Sequence, residues 1–328
     1  MEMRENLMMR GAMKLAIDCA GVTSEDVAVI VCDYESFTVA NQMTRACLAL
    51  GACTNMVVIQ PTKGHGAEPP ALVGGALVKA TVAFLVTTKS MSHTQAVKDA
   101  KAAGCRIITM PEFWPEMMIS GAIEADFLQR QIVANKVKDL LTQASSARIV
   151  CEKTGTDISF DLKGRNGRAV DGVARTAGAF AAPPNIESSI APMEGKTEGV
   201  LVVNASIAGV GLIREPVTVK VEKGVITSIT GGTQAQELQT LLSSAGDPQC
   251  FLVGELGIGL NPCARLCGAL LEDEAGLGTV HMAAGNNANF GGTVVAKKHI
   301  DMIVKDASLY IDDLLLIRDG CFLEEALG

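Results

Sequence analysis

Several things are scarce or missing in this sequence, and each absence removes a class of function. No apolar run approaches the roughly 20 residues that a bilayer-spanning helix needs. Stretches such as 27–32 and 81–87 end in polar or glycine-rich segments, so no membrane span is expected in spite of a mean hydropathy of +0.28. The first residues, MEMRENLMMRGAM, carry acids and no continuous apolar core. They do not read as a signal peptide, and a cytoplasmic location is expected. No long basic block occurs and the formal net charge is −8, which argues against nucleic acid and anionic membrane surfaces as partners. Neither GxGxxG nor GxxxxGK[ST] is present, so a nucleotide site would lack its phosphate cradle. The ten cysteines are scattered and several lie in apolar runs, as small buried hydrophobes in a reducing compartment do. Only Cys263 and Cys267 are close together. Their spacing suits one face of a helix predicted at 262–271, and without a second pair a zinc knuckle is not expected.

What is present is Ala, Val, Ile, Leu and Gly, with aromatics at only 4%, a balance typical of α/β proteins with buried strands. The 328 residues exceed one small core and suggest two domains. Residues 5–20 read as an amphipathic helix. VAVIVCD (27–33), NMVVIQP (55–61), TVAFLVTT (81–88) and CRIITMP (105–111) read as strands, with helices expected at 36–51, 70–80 and 92–103. Four strands alternating with helices indicate a parallel, doubly wound sheet with right-handed crossovers. A helix at 128–143 links this half to the next. From 147 the pattern changes to short strands separated by turns: ARIVCEK, DISFDL, GVLVVNAS, and PVTVKVEKGVITSIT with a hairpin at VEKG. A helix follows at 234–244. The expectation is an α/β protein: a doubly wound N-terminal domain over 1–146 and an α+β metal-binding domain over 147–328.

Chemistry concentrates in the second half. In His299-Ile300-Asp301, residues i and i+2 of a strand share one face, so an imidazole and a carboxylate converge on one point, as a divalent metal requires. His281 lies in GTVHMAAGNN, an apolar strand running into a Gly/Asn loop, and Glu255 in VGELGIGLNP, at another strand end among glycines. Glu187 follows a proline pair in PPNIESSIAPMEG, and Glu272, Asp273 and Glu274 cluster just before His281. A histidine alone reads better as a core or surface residue, and a lone carboxylate as a solvated charge; together in one domain they read as a metal site.

NIESSIAPMEGKTEGVLVVN, GELGIGLNP, GTVHMAAGN and KKHID, in that order, resemble the M29 (aminopeptidase T-like) metallopeptidase family over most of 150–305. The resemblance implies two divalent ions (Zn, Co or Mn) held by Glu187, Glu255, His281, His299 and Asp301. It implies hydrolysis of an N-terminal peptide or small amide bond by a metal-activated water, with Glu255 or Glu274 moving the proton. Homodimers and a small-molecule or short-peptide substrate are the implied partners. Two departures stand out. The chain is shorter than typical members, and where the family carries a tyrosine after the His281 position this sequence has GNNANFGG, with Phe290 and, as substitutes, Asn286, Asn287 or Asn289. The same resemblance extends to the 2,5-dihydroxypyridine 5,6-dioxygenases, in which His281, His299 and Asp301 would form a two-histidine, one-carboxylate face for Fe(II). Glu187 and Glu255 would then be surplus, and the peptidase is the expected reading. A binding homologue without turnover is the third.

Outside this domain, His65 and His93 follow predicted strands at the carboxyl edge where α/β sheets take ligands. Lys89, Ser90, Ser92 and Thr94 lie beside His93, and the plainer reading is a loop with a helix N-cap. Trp114 is expected to be buried, and Arg214, a charge in an apolar stretch, to be paired.

Overall fold

The computed structural model describes residues 2–328. Its chain divides into two compact units. One comprises the residues up to Gln131 together with Asp171–Pro184; the other comprises Ile132–Val170 and Asn185–Gly328. The division falls inside a helix, and a short segment returns to the first unit, so 146/147 lies within the second unit.

The first unit carries β1 (Val27–Asp33), β2 (Cys53–Ile59), β3 (Val82–Val86) and β4 (Arg106–Thr109) in one parallel sheet. Its order is β2-β1-β3-β4, with Phe180–Ala181 added beyond β4. The helices are α1 (Glu2–Lys14), continued by a π-helical turn to Cys19, α2 (Phe37–Ala49), α3 (Ala71–Lys79), α4 (Gln95–Ala102) and α5 (Pro115–Ile119). β1 and β3 are apolar on both faces because helices cover both sides. Val29, Val31, Leu77, Leu85, Met91 and Ile107 fill the interior on one side.

The carboxyl edge of this sheet is closed by side chains that satisfy one another. Asp33, 1% exposed, accepts from Ser36 N–H at 3.1 Å and from Thr88 N–H and hydroxyl at 2.6 and 2.7 Å. Thr94 caps α4 by accepting from Val97 N–H, and the Ser92 hydroxyl lies between Ser90 and Thr109. His65 is exposed, with Nδ1 accepting from Ser90 N–H, and His93 is exposed. A small cavity of about 50 Å³ opens between the ends of β1 and β3, lined by Ser36, Thr38, Thr87, Thr88, Glu112 and Trp114. Trp114 is 48% exposed, not buried, because it precedes the α5 proline as the N-cap residue.

α6 (Phe127–Gln143) leads into the second unit, where the strands are antiparallel. An eight-stranded sheet runs in the order 225–230, 217–222, 198–203, 156–161, 146–151, 308–311, 314–318, 321–322. Its 217–230 hairpin turns through Lys223 and Gly224, both at positive φ (49° and 71°), as a two-residue turn matched to strand twist requires. A seven-stranded sheet is built from β5 (Arg168–Val170), β6 (Glu187–Ile190), β7 (Ser206–Ile207), β8 (Gly211–Leu212), β9 (Val253–Gly259), β10 (Val280–Gly285) and β11 (His299–Val304). Its order is β8-β7-β11-β10-β9-β6-β5. Among the described residues no helix is long and apolar enough to cross a membrane.

Three local expectations are corrected. The helix predicted at 262–271 is only α8 (Leu270–Asp273); α7 (Thr233–Ser243) stands close to where it was read. Residues 261–269 form a loop instead, because Asn261 Oδ1 accepts from Cys263 N–H, and Asp273 accepts from Cys267 and Gly268 N–H. Cys263 and Cys267 therefore do not share a helical face. Arg214 is exposed and makes no ion pair among the described residues; only its backbone N–H is held, by Gln234.

Candidate metal centre

The antiparallel register decides which side chains meet. Cross-strand partners share a sheet face. Glu255 of β9 stands opposite Ala283 of β10, and Ala283 opposite Asp301 of β11. In the next row Gly257 stands opposite His281, and His281 opposite Ile303. Gly285 pairs with His299, and Gly259 with Glu187 of β6. Glu187, Glu255, His281, His299 and Asp301 therefore lie on one face. Apolar residues such as Leu256, Ile258, Met282 and Met302 alternate onto the other, where they are buried. Several residues beside the polar groups are small. A Cβ at Gly257 would come 1.9 Å from His281 Nε2, so only glycine lets that imidazole lie across β9.

The functional atoms are close. His299 Nε2 is 2.9 Å from Glu255 Oε2 and 3.3 Å from Asp301 Oδ1, and His281 Nε2 is 3.4 Å from Glu187 Oε2. Two groups of three result, Glu187–Glu255–His281 and Glu255–His299–Asp301, each with one ligand atom per residue within 4.8 Å of the others. Glu255 belongs to both. The two histidines thus fall into different groups, joined by the Glu255 they share.

The surroundings fix these groups. His299 Nδ1 lies 2.8 Å from the Asn286 carbonyl, an oxygen that can only accept. Nδ1 therefore carries a proton, and Nε2, which donates to the carboxylates in the metal-free chain, is the nitrogen that a bound cation would take. Phe290 packs its ring 5.1 Å from that of His299. Asn287 is committed to its own loop, its Oδ1 accepting from Val294 N–H and its Nδ2 donating to Glu194. Glu272 and Asp273 are buried and hold the 265–268 loop, so they are neither ligands nor a solvated helix end. The charges of Glu187, Asp301 and Glu255 bear on Glu274, and Asn185 Nδ2 donates to its Oε1 at 2.7 Å.

Electrostatics separate the acids. Burial raises Glu187 to about 7, against the pull of His281 and with the push of Glu255. Burial also acts on Glu255, but the hydrogen bond and charge of His299 outweigh it and hold that group at about 2. Glu274 is pushed well above the carboxylate range by burial and by Glu187, Asp301 and Glu255. Burial disfavours the His299 cation, yet Asp301 and Glu255 hold its pKa well above the imidazole value. Glu187 Oε2 and His281 Nδ1 are buried without a hydrogen-bond partner, a costly state for a native polar group. Four buried carboxylates and two imidazoles with orphaned atoms fit a divalent cation, whose charge satisfies the carboxylates together. Sequence reading did not single out Asn185, Arg168, Ser189 or Gly257. A lone Asn, Arg or Ser in a short strand carries no motif, and only the register reveals that Gly257 faces His281.

With this geometry in place, the relatives can be compared. The sequence model of the family described as NicX, 2,5-dihydroxypyridine 5,6-dioxygenase, matches residues 9–324. The chain belongs to this dioxygenase family. One relative, the 2,5-dihydroxypyridine 5,6-dioxygenase of Pseudomonas putida (strain KT2440), is 26% identical over 249 residues, covering 72% of this chain and 70% of that protein. The solved structure of the 2,5-dihydroxypyridine dioxygenase from Pseudomonas putida KT2440 superposes with a TM-score of 0.79 at 21% identity, covering 96% of each chain. Wild-type AmpT from Thermus thermophilus superposes at 0.68 with 16% identity, over 97% of this chain and 99% of that one; it shares the fold. Membership of the dioxygenase family overturns the peptidase reading: hydrolysis, aminopeptidase action and proteolysis are withdrawn. An enzyme family remains, with a mixed α/β fold of one parallel sheet and two antiparallel sheets.

Proposed function

We propose that this chain is a metal-dependent ring-cleaving dioxygenase acting on a small dihydroxypyridine-like ring, with Fe(II) as its ion. The observation that carries the reading is the dioxygenase-family match across residues 9–324, which spans the whole histidine–carboxylate face. Glu255, His299 and Asp301 would hold the ion, and Glu187 with His281 would flank it through the shared Glu255. A bound ferrous ion supplies the one-electron chemistry that lets dioxygen react with a closed-shell ring.

The rest is the work of this chain's own residues. The Asn286 carbonyl fixes His299 in the tautomer that presents Nε2. Glu255, held ionised by His299, is a permanent acceptor and negative charge. Burial and the neighbouring acids push the Glu274 carboxyl well above its ordinary range, which favours its protonated form. Because Asn185 donates to Oε1, that proton sits on Oε2, from which Glu274 can protonate a ring oxygen or carbon. The buried strands β9 and β10 exclude water from this face.

The test is anaerobic purification without chelators, metal analysis, and oxygen uptake with a panel of dihydroxypyridines, with and without a ring carboxylate. About one ferrous ion per chain and dioxygen consumed mole for mole with substrate are expected. A chain that takes up no iron on reconstitution, or an iron-loaded chain that consumes no oxygen with any dihydroxypyridine, would overturn the reading.

A further inference from the structure

One cation on the metal-binding face makes no hydrogen bond or ion pair with the acids. Arg168 of β5 stands opposite Ser189 of β6, Ser189 opposite Gly257 of β9, and Gly257 opposite His281. The row continues through Ile303 to Ser206. Arg168 therefore projects from the same face as the histidines, three strands from His281. Its guanidinium lies over the Phe290 ring, 4.9 Å from the centroid, and that ring packs against His299. The side chain is half-buried. Its charge acts on Glu187, lowering a pKa that burial raises.

What Arg168 lacks is a partner. No carboxylate pairs with it and no oxygen accepts from it among the described residues, whereas nearby Arg165 is ion-paired with Glu194. A guanidinium stacked on an aromatic ring is held in orientation without using its hydrogen-bonding edge. That edge is a planar fork matched to a carboxylate. Unpaired at the border of a deeply acidic site, its charge also offsets the local repulsion of an anion.

We propose that Arg168 is the carboxylate-binding residue of this site, and that the ring accepted here carries a carboxylate that 2,5-dihydroxypyridine itself lacks. The ring part rests on the dioxygenase reading; the anion part rests on Arg168. Phe290 orients the guanidinium, and the carboxylate docks on its free edge while the hydroxylated side of the ring faces His299.

The experiment is calorimetric titration of the zinc-loaded full chain with 6-hydroxynicotinate and with its neutral isostere 6-hydroxynicotinamide. Wild type is expected to favour the carboxylate by about 10- to 100-fold, the worth of one charge-assisted bidentate contact. Arg168→Gln should bring the two ligands to near-equal affinity, and Arg168→Lys should keep only part of the preference. Amide affinity should be the same in all three, which shows each site to be folded. Equal binding in wild type, no binding of either ligand, or a preference that survives Arg168→Gln would overturn the proposal; in the last case the metal reads the carboxylate. Oxygen uptake is scored separately. If the preference is found but the iron-loaded chain never consumes oxygen, the dioxygenase reading falls and the Arg168 assignment stands.

Discussion

Asp33 ends β1 of the parallel sheet and Glu187 begins β6 of an antiparallel one; both carboxylates are buried. Around Asp33 every oxygen has a donor, from Ser36 and Thr88. Burial alone would raise its pKa, but those hydrogen bonds outweigh it and hold the carboxyl below its ordinary range. Around Glu187 the neighbours are further acids, one oxygen is orphaned, and burial drives the pKa up to about 7. A buried acid that the chain itself satisfies is part of the structure. A buried acid that the chain leaves unsatisfied among like charges points to something bound. The sharpest experiments change one kind of acid and ask whether the other responds.

The largest effect is expected at His299, which contacts both Glu255 and Asp301. His299→Ala should weaken iron binding by more than the roughly 100-fold seen for outer partners of metal ligands, and abolish turnover. Metal analysis after dialysis reads this. Wild-type iron content in the variant would remove His299 from the site. Asp33→Ala is the matching test in the other unit. It strips the acceptor from at least three donors and should cost about 3–4 kcal/mol in denaturant unfolding, with iron bound to the folded fraction as in wild type. A loss of iron stoichiometry there would break the contrast between the two acids.

The pH dependence of the metal-free chain separates them further. Glu187 has a folded-state pKa of about 7 against an ordinary 4.5. Between those values the folded state holds a proton that the unfolded state has released, so stability falls as pH rises through that window and levels off above it. Glu274 and His299, both raised, act in the same direction. Glu255, lowered to about 2, acts oppositely, and its contribution is lost only as pH falls below about 4.5 toward 2. Chelated protein should therefore melt progressively lower from pH 5 to 8, and iron-loaded protein should not. Glu187→Gln should recover about 2–3 kcal/mol of the metal-free loss at pH 8. A flat metal-free profile would show that Glu187 is not desolvated as described.

Much of this contrast was legible in the sequence. The βα alternation of the first half placed β1 to β4 and their helices to within a few residues, because a strand buried on both faces is a continuous apolar run bounded by turns. The His-x-Asp spacing gave a shared face on β11 for the same reason of period. The apolar pattern of TVVAKKHIDMIV reads as strand from 293 onward, yet β11 begins only at His299. The preceding loop is held from outside, with Asp247 accepting from Lys297 N–H and Glu194 from Thr293 N–H, long-range contacts that local pattern does not record. The grouping of Glu255 with both histidines and the placement of Arg168 depend on register between strands up to about 130 residues apart in the chain. The choice of chemistry was misread for a different reason. A carboxylate-rich ligand set suits hydrolytic and oxidative metals alike, and similarity across the whole chain decided what the ligand set alone did not.

The smallest effect completes the contrast from the structural side. Thr94 is 2% exposed. Its hydroxyl accepts from Val97 N–H and donates to the Met91 carbonyl, so it closes the first turn of α4 while tying down the loop before it. Thr94→Ala removes both bonds and should cost about 1 kcal/mol, as the loss of an N-cap does. Thr94→Ser keeps the hydroxyl and should recover most of that. Iron content, oxygen uptake and the metal-free pH slope should be unchanged in both, since the polar groups of this edge are satisfied among themselves. If Thr94→Ala lowered oxygen uptake while the melting temperature moved only by the capping cost, this loop would belong to the chemistry, and the division between an acid network that holds the fold and one that holds an ion would not follow the division between the two units.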